Sequence, residues 1–234
     1  MTVEFIRNFE TAVAQPVFVQ DRKSRAQKAP PTGGMIKRIM DITLVVLAVP
    51  FLLPLMLGLY MLVKLTSPGP AFYGHSRVGF GGREFKCWKF RSMVLDGDAV
   101  LEAHFRKNPA DRMIWEGERK LRHDPRVTPV GAVLRKLSLD ELPQLFNVIT
   151  GEMSLVGPRP VVRDELEKYA ASAGHYMRAR PGLTGLWQVS GRSETTYRYR
   201  VKLDRFYVSR WSALLDIWVI LRTIPAVVFS RGAH

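Results

Sequence analysis

Residues 41–64 read DITLVVLAVPFLLPLMLGLYMLVK, and the 22 positions from Ile42 to Val63, between Asp41 and Lys64, carry no charge. A helix of that length rises about 30 Å, the thickness of a hydrocarbon core, whereas buried helices of soluble domains are usually shorter. A cleaved leader fits poorly, because the run is followed by Thr66-Ser67-Pro68-Gly69-Pro70 rather than a small-residue cleavage site. Pro50 and Pro54 each remove a backbone donor and crowd a carbonyl one turn earlier, which predicts a kink. Arg22, Lys23, Arg25, Lys28, Lys37 and Arg38 precede the run, and Lys64, Arg77, Arg83, Lys86, Lys89 and Arg91 follow it. Both flanks therefore read as cytoplasmic. A helix that enters, breaks near Pro50 and returns to the same face satisfies both, whereas a straight crossing carries one basic flank across.

Outward from this segment, the chain divides into a flexible arm over 1–34, a membrane re-entrant helix over 35–65 and a body over 66–234. The arm is marked by Pro16, Pro30, Pro31, Gly33 and Gly34 and carries no chemistry of its own. The 234 residues are 47% hydrophobic, enough for a folded core, and 35 Lys and Arg against 21 Asp and Glu give a net charge of +14. That excess predicts an anionic partner: nucleic acid, a phosphorylated metabolite or an acidic leaflet. The lone Cys87 makes no intrachain disulfide, and His75, His104, His123 and His175 have no zinc-site spacing, which fits a reducing compartment.

The body begins with a predicted hairpin, Ala71 to Val78 and Arg83 to Phe90 around Gly79-Phe80-Gly81-Gly82. No helix follows these glycines, so they read as turn residues rather than a phosphate loop. Asp96-Gly97-Asp98 resembles a metal-binding pair but sits where a helix starts, so an N-cap and a first-turn acid account for it. In Ser138-Leu139-Asp140-Glu141-Leu142-Pro143-Gln144, Pro143 is tolerated only in a first turn, which predicts a helix starting near Asp140. Asp140 and Glu141 then lie at its electropositive end, either as cap and dipole partner or as nucleophile and metal ligand. In Gly157-Pro158-Arg159-Pro160 two prolines present one arginine rigidly, a good phosphate fork. Lys89-Phe90-Arg91-Ser92 and the glycine-rich loop Arg180-Pro181-Gly182-Leu183-Thr184-Gly185 add further cations.

Taken in order, Lys37-Arg38 with Asp41, the proline-broken apolar segment, Lys89-Phe90-Arg91-Ser92-Met93, Leu139-Asp140-Glu141-Leu142-Pro143-Gln144, Gly157-Pro158-Arg159-Pro160 and Arg180-Pro181-Gly182-Leu183-Thr184-Gly185 resemble the bacterial sugar transferase family. These are monotopic polyprenyl-phosphate phosphoglycosyl transferases, and the chain looks like their short exopolysaccharide type. The resemblance runs from Met35 to the C-terminus. It implies an α+β monotopic membrane protein whose mainly helical catalytic domain carries a small hairpin or sheet on the cytoplasmic face of the bacterial inner membrane. It also implies Mg2+ as cofactor, UDP-galactose or UDP-glucose as donor and undecaprenyl phosphate as acceptor. Asp140 matches the nucleophile, which would take hexose phosphate from the donor, release UMP and pass it to the lipid. Glu141 would join it in placing the metal, and Lys89, Arg91, Arg159, Arg180, Thr184 and Arg192 would contact substrate. The family's membrane break is commonly Ser-Pro; here Val49 precedes Pro50, which leaves a straight crossing as the alternative topology.

At the C-terminal end, Leu214 to Phe229 is apolar but broken by Asp216, Arg222 and Pro225. With Trp211 and Trp218 it reads as an amphipathic helix in the headgroup layer, or as a plain core helix. A membrane-tethered nucleic-acid-binding or scaffolding protein is the second reading. It lacks a helix-turn-helix, an aromatic RNA-binding strand or a zinc finger, so no nucleic acid partner is expected. A glycosidase is disfavoured because neighbouring carboxylates on a helix diverge by about 100° and do not flank a sugar. The sugar, the glycan pathway and homodimer formation stay open.

Overall fold

The computed structural model describes residues 29–118, 121, 123–190 and 196–228; residues 1–28 of the 1–34 arm and Arg192 lie outside them. Helix α1, Gly34–Thr66, is helical throughout, with Pro50 and Pro54 inside it. The expected break at Pro50 is thus not an interruption of helical structure, and the segment is one 33-residue helix. Its contacts explain how the fold tolerates two prolines there. Lys37, Asp41, Val45, Leu59 and Val63 are buried against the body, and Leu52 and Met56 pack on the same side. These positions recur every three to four residues and form one stripe along the helix. The remaining faces leave Val46, Leu47, Phe51, Leu53, Leu55, Leu57 and Leu65 exposed.

After α1 come β1 (Phe72–Val78), a 3-10 turn (Phe80–Gly82) and β2 (Glu84–Phe90), the hairpin read from the sequence. The strands pair antiparallel, with Tyr73 opposite Lys89, His75 opposite Cys87 and Arg77 opposite Phe85. Helices α2 (Gly97–Lys107), α3 (Pro109–Glu118) and α4 (Pro129–Lys136) follow, then a 3-10 turn (Leu139–Glu141), α5 (Gln144–Thr150) and β3 (Ser154–Val156). Asp96 takes the N-cap position of α2 but makes no side-chain cap bond, and Asp98 lies in the first turn. After β3 come α6 (Arg163–Glu167), a 3-10 turn (Ala170–Ser172), α7 (Ala173–Tyr176), β4 (Gly182–Thr184), α8 (Leu186–Val189), α9 (Tyr197–Arg210) and α10 (Ala213–Val228).

A second small sheet was not legible as strands: β3 pairs parallel with β4, Ser154 opposite Gly182 and Val156 opposite Thr184. The glycine-rich stretch is therefore partly a strand, laid against the Pro-Arg-Pro turn. A Cβ on Gly182 would come within 2.1 Å of the Gly157 nitrogen, so only glycine allows this approach. The result is an α+β body in which α1 lies across two clusters. One joins Val45 to Phe85, Leu145, Val148 and Met153; the other joins Leu59 and Val63 to Ala71, Phe90 and Leu134. Polar clasps reinforce the N-terminal end of α1. Lys37 Nζ lies 2.6 Å from Asp216 Oδ2 of α10, Arg38 donates to the Val148 and Ile149 carbonyls at the end of α5, and Asp41 accepts from the Ser154 hydroxyl and Leu155 N–H of β3.

Helix α10 unites the two readings made of it. Leu215 and Val219 sit in a core with Leu203, Tyr207 and Val208 of α9, while Leu214, Ile217, Leu221 and Ile224 form an exposed apolar stripe. The Arg222 guanidinium lies 5.3 Å above the Trp218 ring.

Candidate active site

Asp140 and Glu141 are not on the first turn of α5. They occupy the separate 3-10 turn before it, and Pro143 is the N-cap residue. Two i to i+3 bonds, Leu142 N–H to the Leu139 carbonyl and Leu145 N–H to the Leu142 carbonyl, carry the chain around this corner. The turn is entered through Ser138 in a left-handed conformation, φ 55°, which costs a non-glycine residue energy and is held by its surroundings. The carboxylates are therefore presented by a rigid corner, and the charge expected from a helix terminus comes from side chains instead.

Lys89, at the end of β2, supplies most of it. Its Nζ lies 2.5 Å from Glu141 Oε1 and 3.6 Å from Asp140 Oδ2. Strand alternation puts Arg77 and His75 of β1 on the same sheet face as Lys89, and Arg77 bonds His75 Nδ1 at 3.3 Å. Arg159 stacks over the Trp187 ring at 5.1 Å, and its backbone N–H donates to the buried Asp204 carboxyl.

The electrostatics separate the two acids. Burial pushes the Asp140 carboxyl above the usual range, Glu141 adds to the rise, and Lys89 and Arg135 oppose it only in part. Burial also acts upward on Glu141, but Lys89, Arg159 and Arg77 outweigh it and hold that carboxyl low. Lys89 loses by burial yet is held above its ordinary value by Glu141 and Asp140. Glu141 is thus the firm anion, and Asp140 is the more basic, less stabilised carboxylate, the property of a nucleophile.

Of the residues singled out in the sequence, Asp140, Glu141, Lys89 and Arg159 come together here. Three others are engaged elsewhere. Arg91 donates from Nη2 to the Ser67 carbonyl just past α1, leaving its buried Nε and Nη1 without a hydrogen-bond partner, Arg180 donates to the Gly151 carbonyl beyond α5, and Thr184 shares a 2.7 Å hydroxyl bond with Thr223 of α10. The sequence reading missed Arg77 as a site residue, although its two-residue alternation with His75 was a signal. It also missed Arg135, whose last-turn position on α4 faces it toward the following corner.

Among the described residues no three His, Cys, Asp or Glu side chains converge, and Asp140 and Glu141 are the two neighbouring carboxylates that could hold an ion here. Mg2+ is commonly held by one or two carboxylates with substrate phosphates completing its shell. Lys89 Nζ already sits as a cation against both acids.

Two carboxylates thus lie under the electrostatic influence of Lys89, Arg77, Arg135 and Arg159, on a body that grips a long apolar helix. Among known proteins, the model of the bacterial sugar transferase family matches residues 32–230, and the chain belongs to that family. It is 55% identical to the exopolysaccharide production protein ExoY of Sinorhizobium fredii over 87% of this chain and 90% of that one. It is 52% identical to the ExoY protein of Rhizobium meliloti over 95% and 97%. The undecaprenyl-phosphate galactose phosphotransferase of Salmonella typhimurium is 48% identical over 87% of this chain and 42% of its own length.

Proposed function

We propose that this protein transfers a hexose 1-phosphate, galactose or glucose, from its UDP-sugar to undecaprenyl phosphate as the initiating step of exopolysaccharide synthesis. The observation that carries the reading is the Asp140–Glu141 corner under Lys89, with Arg77, Arg135 and Arg159 within electrostatic reach. An Asp140 oxygen attacks the sugar-bearing phosphorus of the donor, the bond from that phosphorus to the bridging oxygen breaks, and UMP leaves. The hexose phosphate is then held as an acyl phosphate on Asp140. An oxygen of the lipid phosphate attacks the same phosphorus, the bond to Asp140 breaks, and polyprenyl-diphospho-hexose is released with the carboxylate restored.

Asp140 and Glu141 would hold Mg2+, which when bound neutralises phosphate charge. Lys89 orients the two acids, and Arg77 and Arg159 receive diphosphate charge, with Arg159 braced by Trp187 and Asp204. Because Asp140 is raised by burial, its ionised form gains most when a cation or phosphorus arrives.

The topology that serves this chemistry is re-entrant. Both halves of α1 pack on one body, through Val45 and through Leu59 and Val63. The exposed apolar faces of α1 and the α10 stripe suit a single cytoplasmic leaflet of the inner membrane, at the depth of a lipid phosphate. The test is UMP release from UDP-galactose and UDP-glucose by protein in nanodiscs. Repeated turnover that requires undecaprenyl phosphate and Mg2+, with at most one equivalent of UMP released when the lipid is omitted, and that is abolished by Asp140→Asn supports the reading; release unaffected by that substitution contradicts it.

A further inference from the structure

Asn147, in the middle of α5, is fully buried at 0% exposure and uses its whole side-chain amide. Its Oδ1 accepts the Trp88 N–H at 3.1 Å, and its Nδ2 donates to the Lys86 carbonyl at 2.8 Å and to Glu152 Oε2 at 2.7 Å. Lys86 and Trp88 belong to the alternate residues of β2 whose backbone groups face away from β1, on the open edge of the hairpin. The amide therefore replaces one peptide unit of a missing third strand, offering an acceptor and a donor in the register that a strand partner would use.

What this couples is specific. Trp88 precedes Lys89, and α5 continues directly from the corner that carries Asp140 and Glu141. The path from Lys89 to Glu141, through Leu142 and Pro143 into α5, across the Asn147 amide to Trp88 and back to Lys89 is a closed ring of covalent and hydrogen bonds. Among the described residues, the hydrogen bonds between β2 and α5 are those of the Asn147 amide. The packing of Phe85 and Cys87 on Leu145 and Val148 is apolar and permits sliding, whereas the paired hydrogen bonds set register.

We infer that Asn147 is a positioning residue for the transfer reaction: its amide locks the strand bearing Lys89 to the turn bearing Asp140 and Glu141. The inference rests on the proposed function. A shift of Lys89 by about 1 Å relative to the carboxylates is expected to cost on the order of 100-fold. That loss should fall in kcat, because what the register sets is the placement of Lys89 against Asp140 and Glu141.

The experiment is a double-mutant cycle on UMP release in nanodiscs with Asn147→Ala, Lys89→Ala and the pair, beside Asp140→Asn. Asn147→Ala is expected to lower kcat about 100-fold with the donor KM within about threefold, and to cost less than about threefold in the Lys89→Ala background. Multiplicative losses, or a loss confined to KM, overturn the positioning role. If Lys89→Ala and Asp140→Asn both leave turnover intact, the proposed function itself fails, a distinct outcome. Should Asn147→Ala not fold, Asn147→Asp keeps the volume and the acceptor, and the same non-additivity is expected of it. In the unmodified protein, the Trp88 amide hydrogen should exchange at least about tenfold more slowly than an open strand edge. Exchange at the open-edge rate overturns the proposal whatever the variants do.

Discussion

Replacing Lys37 with methionine tests the grip of the body on α1. Lys37 Nζ sits 2.6 Å from Asp216 Oδ2, with side-chain exposures of 5% and 0%. Asp216 also accepts from the Tyr207 hydroxyl at 2.6 Å and from Trp211 Nε1 at 3.0 Å, so its charge has one cationic partner and two neutral donors. Removing the cation leaves a buried carboxylate that the neutral donors solvate only in part, a loss of about 3–5 kcal/mol. For a domain of this size, about 2–4 °C per kcal/mol translates this into a fall of about 6–20 °C in Tm. Arg112 and Glu102 provide the control, being also 2.6 Å apart but with exposures of 45% and 53%. Arg112→Met is expected to cost less than about 1 kcal/mol. The double variant Lys37→Met with Asp216→Asn should recover part of the loss, since Asp216 no longer carries an unpaired charge and the buried Asp41 keeps its bonds from Ser154 and Leu155. Thermal unfolding in one detergent, followed by tryptophan fluorescence, reads all four proteins. If Lys37→Met shifts Tm no more than Arg112→Met does, the buried pair does not hold α1 and the reasoning is refuted.

Asp204 carries a pH signature. Burial raises its carboxyl to about 7, against the pull of Tyr169, Arg200 and Arg159, from an ordinary value of 3.8. The folded state therefore keeps a proton that the unfolded chain has released, and stability falls as pH rises from about 4 to about 7, by at most about 1.4 kcal/mol per unit. Asp204→Asn should flatten that slope in denaturant titrations at several pH values, and an unchanged slope would mean that Asp204 is ionised throughout. Thr184→Val should lower stability by about 1 kcal/mol through its lost bond to Thr223 and leave the donor KM within about twofold. A tenfold rise in KM would return Thr184 to substrate binding. Glu141→Gln should weaken Lys89 anchoring and raise the Mg2+ concentration needed for half-maximal UMP release, whereas an unchanged requirement would remove Glu141 from the metal site.

The parts of this molecule that were legible in the sequence are those with local causes. The charge-free run from Ile42 to Val63, the alternation around Gly79-Phe80-Gly81-Gly82 and the apolar spacing of the C-terminal helix each follow from neighbours within one element. The parts that were not legible depend on distant partners. Lys37 meets Asp216 across 179 residues, and Asn147 meets Lys86 across 61, so neither residue type in its local context announces the bond. The corner at Asp140 was expected as a helix start because proline chemistry allows Pro143 at a first turn. The same chemistry allows Pro143 at the N-cap, and the strained Ser138 decides for a separate 3-10 turn. The resemblance places Arg180 and Thr184 with substrate, while the glycines of their loop serve the close approach of β3 and β4, which no local pattern announces. Arg77 and Arg135 needed the fold, since three elements must close before their charges reach the acids.

Intact mass of the purified protein after incubation with Mg2+ and UDP-galactose or UDP-glucose, without lipid acceptor, is the most direct test of the central claim. The account predicts a hexose-phosphate adduct with one of the donors, absent from Asp140→Asn and discharged by undecaprenyl phosphate. No adduct with either donor, from protein that turns over once the lipid is added, would contradict the covalent route and leave Asp140 as a ligand or a structural residue.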